Sequence, residues 1–153
     1  MLLKIDLLKY QSRLEIKYTN NQKYILGLIR KKYLVLTPEE IVRQLILHYL
    51  VEEKGYPKNR IRSEMGLEVN TMTKRCDILV FNKALEPALL VECKSAKVKV
   101  DNKVFHQIAQ YNMTLKVPYL LVTNGPVNYC SLINQEEKTF EFLEEVPHYD
   151  LIK

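Results

Sequence analysis

The stretches Arg75-Cys76-Asp77-Ile78-Leu79-Val80 and Leu89-Leu90-Val91-Glu92-Cys93-Lys94 carry most of the information in this chain. Both are strongly apolar runs that also contain charged side chains. An aspartate opens the apolar part of the first run, and a Glu-x-Lys closes the second. Burial of a carboxylate costs free energy unless something pairs with it. A divalent cation held by oxygen ligands would do so, and such cations also catalyse attack on phosphodiesters.

The two runs are predicted to form a β-hairpin across the loop 82–87, in the register 81:88, 79:90 and 77:92. This register sets Asp77 directly opposite Glu92, and the alternation of side chains puts Glu92 and Lys94 on one face. Opposed carboxylates have Cβ atoms ~4.5–5.5 Å apart and repel each other unless a cation lies between them. The reverse face is then wholly apolar and carries Cys76, Ile78, Val80, Leu89, Val91 and Cys93.

Two interpretations account for these charges. In the first, Lys94 forms a partly buried salt bridge with the carboxylates. In the second, Asp77 and Glu92 bind a metal ion, and Mg²⁺ suits two carboxylates supplemented by water and phosphate oxygens, with Mn²⁺ as a substitute. An isolated Glu-x-Lys would favour the salt bridge, but Asp77 in matching register favours the metal site.

Around these residues the chain resembles the PD-(D/E)XK nuclease superfamily, and more closely the N-terminal nuclease domain of type I restriction enzyme R subunits. The order Asp, Glu-x-Lys and Gln-x-x-x-Tyr is the specific part of the resemblance. Cys76 stands where the superfamily name implies proline, and no helicase segment follows, so the resemblance implies a nuclease fold without ATP-driven translocation. The resembling segments are Leu36–Glu40 with Arg43-Gln44, Gly55–Pro57, Lys74–Leu79, Val91–Lys94, Phe105–Asn112 and Val122–Gly125.

The resemblance assigns roles to the residues of the hairpin and of the first helix. Asp77, Glu92 and the backbone carbonyl of Cys93 would bind the metal, and Lys94 would polarise the attacking water and stabilise charge on phosphorus. Glu40 has two alternatives: it closes a capping box with Thr37, or it reaches the metal through a water molecule, as the first-helix acid of the superfamily does.

Gln107, Tyr111 and Arg43 each have a functional and a structural alternative, and Glu64 has a functional interpretation only. Gln107 and Tyr111 share a helix face, where the resemblance implies that they orient the substrate backbone; the alternative is a surface glutamine beside a core tyrosine. Arg43 either contacts phosphate or forms an i,i+4 pair with Glu39. Glu64 would add acidity to the site.

The net charge of +5 is compatible with a nucleic-acid partner. Three of four basic clusters flank the predicted site in the sequence, and each could be either a solvated face or a phosphate-binding surface. We expect Arg43, Arg75, Lys97 and Lys99 to contact DNA. The clusters are Arg30–Lys32, Lys58–Arg62, Lys74-Arg75 and Lys94-Lys97-Lys99.

Several classes of protein are disfavoured. Three cysteines without zinc spacing indicate core thiols in a reducing cytoplasm, and His48 and His106 lack the partners of a zinc site. No glycine-rich phosphate loop is present, which excludes an NTPase. No apolar run approaches the ~20 residues of a membrane span, and the N-terminus lacks a signal-peptide pattern.

The chain is predicted to form one α+β domain, of α/β/α type, with a restriction-endonuclease-like mixed central sheet flanked by helices. An N-terminal β-hairpin extension occupies residues 1–35, the nuclease core 36–143 and a peripheral acidic tail 144–153. Thr37 is predicted to cap a helix that ends at Glu53, and Asp101 or Asn102 to cap a helix over 103–116, with an apolar stripe of Val104, Ile108, Tyr111 and Leu115. The strands are predicted at 13–18, 22–26, 60–69, 118–123, 128–133 and 138–143, besides the central hairpin.

We therefore expect a Mg²⁺-dependent DNA endonuclease of restriction or repair type. The alternatives are a non-catalytic nucleic-acid-binding module and an accessory subunit with a nuclease fold. The intact set Asp77, Glu92 and Lys94 argues for catalysis, because the fold alone demands no charge at these positions. The sequence leaves open whether the chain forms a homodimer or joins a restriction-type partner subunit.

Overall fold

The computed structural model describes residues 2–69 and 72–152, with the backbone alone at 65–69 and 72–75. Over these residues a three-stranded sheet precedes a six-stranded mixed sheet flanked by two α-helices, which confirms the predicted α+β class. The strands are β1 (Ile16–Thr19), β2 (Gln22–Leu26), β3 (Tyr33–Val35), β4 (Ile61–Val69), β5 (Met72–Phe81), β6 (Pro87–Cys93), β7 (Tyr119–Thr123), β8 (Asn128–Asn134) and β9 (Thr139–Phe142). The α-helices are α1 (Pro38–Glu52) and α2 (Asn102–Asn112), and short 3-10 helices span Leu7–Arg13, Lys58–Arg60, Met113–Leu115 and Tyr149–Leu151.

The six-stranded sheet has the order β4-β5-β6-β7-β8-β9. Strands β6 and β7 pair in parallel, and the other neighbours pair antiparallel. The apolar run of β7 predicted an interior strand covered on both faces, and this is confirmed because Leu120, Leu121 and Val122 are all buried. The carboxyl ends of β6 and β7 consequently lie at the same edge of the sheet.

Helix α1 covers one face of the six-stranded sheet. Its predicted start is confirmed: Thr37 Oγ1 accepts a hydrogen bond from the backbone N–H of Glu40 at 3.0 Å, and Pro38 is the first helical residue. Val42 and Ile46 of α1 pack in one cluster with side chains of the sheet. The sheet residues of this cluster are Ile61, Ile78, Val80, Ala88, Leu89, Val91, Cys93, Leu121 and Cys130.

Helix α2 covers the opposite face. Its predicted cap is confirmed, since Asp101 Oδ1 accepts from the backbone N–H of Val104 at 2.9 Å. The predicted apolar stripe was wrong at Tyr111, which is 65% exposed, because α2 instead buries Phe105 and Ala109. The ring of Phe105 packs within 6 Å of three aromatic rings of β8 and β9, and these contacts set the rotation of the helix.

The N-terminal segment adds a second small sheet. The predicted hairpin is present as β1 and β2, joined by Asn20 and Asn21 with φ values of 49° and 61°. A third strand, β3, which the sequence analysis did not predict, pairs with β2. Before this sheet, Leu7 and Tyr10 pack into the cluster of α1.

The segment after Glu144 was expected at the periphery, and this was wrong. Val146, Tyr149 and Ile152 are buried in the cluster of α1. The hydroxyl of buried Tyr56 donates to the carbonyl of Pro147 at 2.8 Å, so the segment also satisfies a polar group that would otherwise be costly to bury.

Candidate active site

The candidate site forms where the β5–β6 ladder ends. The observed pair Leu79–Leu90 confirms the predicted pair 79:90, and the ladder ends at Ile78–Val91, one residue before Asp77 and Glu92, so the predicted pair 77:92 is not part of it. Toward the loop, the predicted pair 81:88 is replaced by Phe81–Pro87, because the register shifts after Val80.

Asp77 turns its carboxylate toward β6. Its Oδ2 accepts a hydrogen bond from the backbone N–H of Cys93 at 2.7 Å. The predicted alternation of β5 is interrupted at this position: Ile78 packs on the α1 face, as expected, whereas Cys76 packs on the α2 face. The Asp77 carboxylate thus takes the place of a backbone carbonyl as the acceptor for the N–H of Cys93. This hydrogen bond fixes the direction of the Asp77 side chain.

Glu92 is only partly exposed. Burial raises the pKa of Glu92 to about 7, and the charge of Asp77 and a hydrogen bond with it act in the same direction, whereas Lys94 opposes the shift. Because the carboxyl groups of Asp77 and Glu92 interact, ionising both at once is unfavourable. A cation between them would remove this repulsion.

Lys94 follows β6 directly. Its backbone N–H donates to the carbonyl of Thr123 at 2.8 Å, which attaches it to the end of β7. Among the described residues, Lys94 forms no ion pair with Asp77 or Glu92. The salt bridge considered from the sequence is therefore not formed, and the cation paired with Asp77 comes from α1.

That cation is Arg43, whose side chain is 6% exposed. Its Nη2 lies 3.0 Å from Asp77 Oδ1 and 3.0 Å from Glu39 Oε1. Its Nη1 bonds Glu40 and lies 3.6 Å from Glu64 Oε1. Burial opposes the charge of the guanidinium, but Glu40 and Asp77 outweigh burial and raise the pKa of Arg43 above its ordinary value. The i,i+4 pair with Glu39 is thus present as one part of a larger network.

Glu40 is fully engaged within this network. One carboxylate oxygen accepts from Arg43 and the other accepts from Gln44 Nε2 at 2.9 Å, so the side chain does not return to Thr37. Gln44 Oε1 in turn accepts from the backbone N–H of Leu28 at 2.9 Å. The role of Gln44 was not predicted, although the spacing Glu-x-x-Arg-Gln on one helix face could have indicated it.

A cavity of about 510 Å³ adjoins the network. Its polar lining combines carboxylates with the guanidinium, and the end of β3 forms an apolar wall. Glu64 reaches this cavity from β4, where its backbone has a φ of 54°. The lining residues are Leu34, Val35, Thr37, Pro38, Glu39, Glu40, Arg43, Glu64 and Ser95.

The other predicted site residues lie on exposed surface. Gln107 and Tyr111 are exposed on α2, so the alternative of a core tyrosine is wrong, and their role beside the metal stays a prediction. Lys97 and Lys99 are exposed in the loop after β6, which Asn124 anchors by donating to the carbonyl of Val98 at 2.8 Å. The side chain of Arg75 lies outside the described residues.

Two absences hold for the part of the chain that is described. No group of three or more His, Cys, Asp and Glu side chains there is arranged to hold a metal ion. The predicted metal ligands Asp77, Glu92 and the carbonyl of Cys93, with Glu40 acting through water, therefore stay a prediction. None of the described helices has both the length and the apolar character that a membrane crossing requires.

A family model described as the type I restriction enzyme R protein N terminus matches residues 38–147. The chain belongs to this family. The matched part of this restriction R-protein N-terminal domain begins at the first residue of α1 and contains Asp77, Glu92 and Lys94. No curated protein matches the chain.

A solved structure is also similar to this R-protein N-terminal domain. It is a fragment of a chain named as an HsdR subunit of a type I restriction enzyme from Vibrio vulnificus YJ016, with a TM-score of 0.51 and 19% identity. The match covers 75% of this chain and 24% of that chain. At this identity the likeness shows the fold alone, and this chain spans about a quarter of the other.

Proposed function

We propose that this chain is a Mg²⁺-dependent DNA endonuclease domain of restriction type, with a PD-(D/E)XK site formed by Asp77, Glu92 and Lys94. The observation that supports this proposal is the interaction of the Asp77 and Glu92 carboxyl groups just beyond the last pair of the β5–β6 ladder, Ile78–Val91, with Lys94 two residues after Glu92. Membership of the R-protein family supports a setting in restriction, where DNA is the substrate.

The donor atoms are of the kind that a hard divalent cation prefers. Asp77 and Glu92 contribute carboxylate oxygens that repel each other without a cation, and Cys93 would contribute a carbonyl oxygen. Mg²⁺, or Mn²⁺ in its place, would supply the positive charge that polarises a phosphodiester.

Residues of the chain itself would provide the remaining chemistry. The ammonium group of Lys94 would stabilise the negative charge that develops on the phosphoryl oxygens. Arg43 and the N–H of Cys93 hold Asp77 in one orientation, so both are positioning groups. Gln107 and Tyr111 would orient the substrate backbone from the exposed face of α2.

One observation favours a second candidate, a non-catalytic DNA-binding module or accessory subunit with the same fold. Both oxygens of Asp77 already have partners, since Arg43 bonds Oδ1 and Cys93 bonds Oδ2. An aspartate held in this way could serve as a structural ion pair alone. The two candidates differ in whether Asp77 is required for cleavage.

A plasmid-nicking assay distinguishes them. The parent, D77N and the control E136Q, which changes an exposed turn glutamate, would be incubated with supercoiled DNA in Mg²⁺, Mn²⁺ or EDTA. Nicking by the parent and E136Q in metal, with loss in D77N and in EDTA, supports the nuclease. Equal nicking by D77N would overturn it, and binding of DNA by a parent that does not nick would support the second candidate.

A further inference from the structure

The positive charge of the chain is concentrated at one end. Residues 1–35 contain 8 lysines and arginines and 2 acidic residues, whereas residues 36–153 contain 15 and 16. The first 35 residues therefore carry more than the whole net charge of +5, and the remainder is close to neutral. The basic segment lies outside residues 38–147, which match the family model.

The three-stranded sheet displays this charge. Lys17, Lys23 and Lys32 are exposed, and all four residues of β1 are exposed as well. Lys17 Nζ lies 4.0 Å from the centre of the Tyr33 ring, so the ammonium group is held on the sheet surface rather than left to move freely. Tyr18, on the same strand as Lys17, is 65% exposed.

This sheet is attached to the candidate site. Arg30 Nη1 lies 2.6 Å from Glu64 Oε2, and Glu64 Oε1 lies 3.6 Å from Arg43 Nη1 at the cavity. Leu34 and Val35 of β3 form part of the cavity wall. The small sheet that carries the exposed lysines therefore also borders the site, with Lys17 and Lys23 on opposite faces of it, because Lys17 pairs with Tyr24 and Tyr18 pairs with Lys23.

We propose that the exposed lysines Lys17, Lys23 and Lys32, called here the basic sheet, bind the phosphodiester backbone of the DNA that enters the candidate site. The inference rests on the proposed function, because it takes the ligand of the sheet to be the substrate of the site. Lysines act on phosphates as point charges and read no base edges, so this binding is independent of DNA sequence.

Charge complementarity supports DNA as the ligand of the basic sheet. The cavity side of the site is lined by carboxylates, which repel a polyanion, so DNA requires a separate cationic surface close by. The basic sheet supplies such a surface on the element that forms the cavity wall. An acidic protein segment would be the competing occupant.

The test is a binding measurement that does not depend on cleavage. Fluorescence anisotropy in EDTA would follow a labelled short duplex, its single strand and a labelled polyglutamate peptide. The variant K17Q/K23Q/K32Q would be compared with K83Q/K116Q/K138Q, which removes the same charge from exposed loop positions outside the first 35 residues. Thermal unfolding of both variants would verify that each is folded.

We expect the basic-sheet variant to lose affinity for DNA and the control to retain it. The slope of log affinity against log salt should fall by about 0.9 for each phosphate contact that the variant loses on duplex DNA. A loss restricted to the single strand would identify that strand as the ligand. Indistinguishable slopes for the two variants, or tighter binding of polyglutamate than of DNA by the parent, would overturn the inference.

The outcome separates this inference from the proposed function. If the parent nicks plasmid but the basic-sheet variant binds DNA like the control, the surface assignment is wrong and the nuclease stands. If the basic-sheet variant loses DNA binding but the parent fails to nick DNA in both Mg²⁺ and Mn²⁺, the nuclease proposal is wrong and the binding surface stands. A parent that binds neither strand form at low salt would contradict both.

Discussion

Arg43 of α1 bonds Asp77 of β5, with 3.0 Å between Nη2 and Oδ1, and this contact joins the helix to the sheet inside the candidate site. The guanidinium is also paired with Glu39 and Glu40. A buried cation among carboxylates offsets the repulsion that they would otherwise exert on one another, and its removal leaves buried charge without compensation. Arg43 therefore supplies the positive charge that lets these carboxylates lie close together in the folded chain.

The first prediction concerns the stability of R43M. Methionine has similar bulk and no charge, so the neighbouring carboxylates lose their counter-charge. We expect the free energy of unfolding, measured with urea, to fall by about 3–5 kcal/mol.

The matched control is R13M, which removes the exposed ion pair between Arg13 and Glu52. Exposed pairs contribute about 0–1 kcal/mol, so this change should be small. R43M as stable as R13M would show that the network around Arg43 contributes little to folding.

The second prediction concerns pH and Glu92, whose pKa in the folded chain is raised to about 7 from an ordinary 4.5. Between these two values the folded state holds a proton that the unfolded state has released. Stability therefore falls as pH rises through this window, and the full penalty is present above pH 7. We expect a loss on the order of 1–3 kcal/mol between pH 4.5 and 8 that is specific to this side chain.

The measurement is urea unfolding of the parent and E92Q across this pH range in EDTA. Glutamine cannot ionise, so E92Q should lose less stability than the parent and should be the more stable protein at pH 8. Parallel pH profiles for the two proteins would contradict the assignment of the raised pKa to Glu92.

The sequence predicted the register of the central hairpin better than it predicted the surroundings of the candidate site. The register of the β5–β6 hairpin was predicted from two local patterns, apolar alternation and opposed charges, and the structure confirms the predicted pair Leu79–Leu90. The local bond between Gln44 and Glu40 was missed although the two residues are four apart on α1, whereas the bond from Leu28 to Gln44 depends on tertiary structure and could not be predicted. Burial of Val146 was missed for the same reason: its partners lie far away in sequence.

The buried face of helix α2 was also not determined by its local sequence. The periodicity of α2 was compatible with more than one buried face, and the aromatic rings of β8 and β9 select the one containing Phe105. A single sequence does not encode such a choice locally, because the selecting residues come from another part of the chain. The exposure of Tyr111 follows from this tertiary contact.

The third prediction concerns the metal. Calorimetry should detect binding of Mg²⁺ or Mn²⁺ by the parent and by E136Q, and no binding by D77A, because one of the two opposed carboxylates is lost. Binding at pH 6 should also release close to one proton, since Glu92 must ionise, whereas little should be released at pH 8.

Proton release is measured by repeating the titration in buffers of different ionisation enthalpy. An observed enthalpy that varies with buffer at pH 6 but not at pH 8 is the expected result. Equal binding by the parent and D77A would exclude Asp77 as a ligand.

The most direct test of the central claim is the cleavage rate of K94Q at saturating Mg²⁺, measured beside the parent and the exposed-lysine control K138Q. If Lys94 stabilises the transition state of phosphodiester hydrolysis, K94Q should cleave about 10²–10³-fold more slowly, while its thermal stability, its Mg²⁺ affinity and the rate of K138Q stay at the parental values. A K94Q protein that cleaves at the parental rate would contradict the assignment of Asp77, Glu92 and Lys94 as a nuclease site.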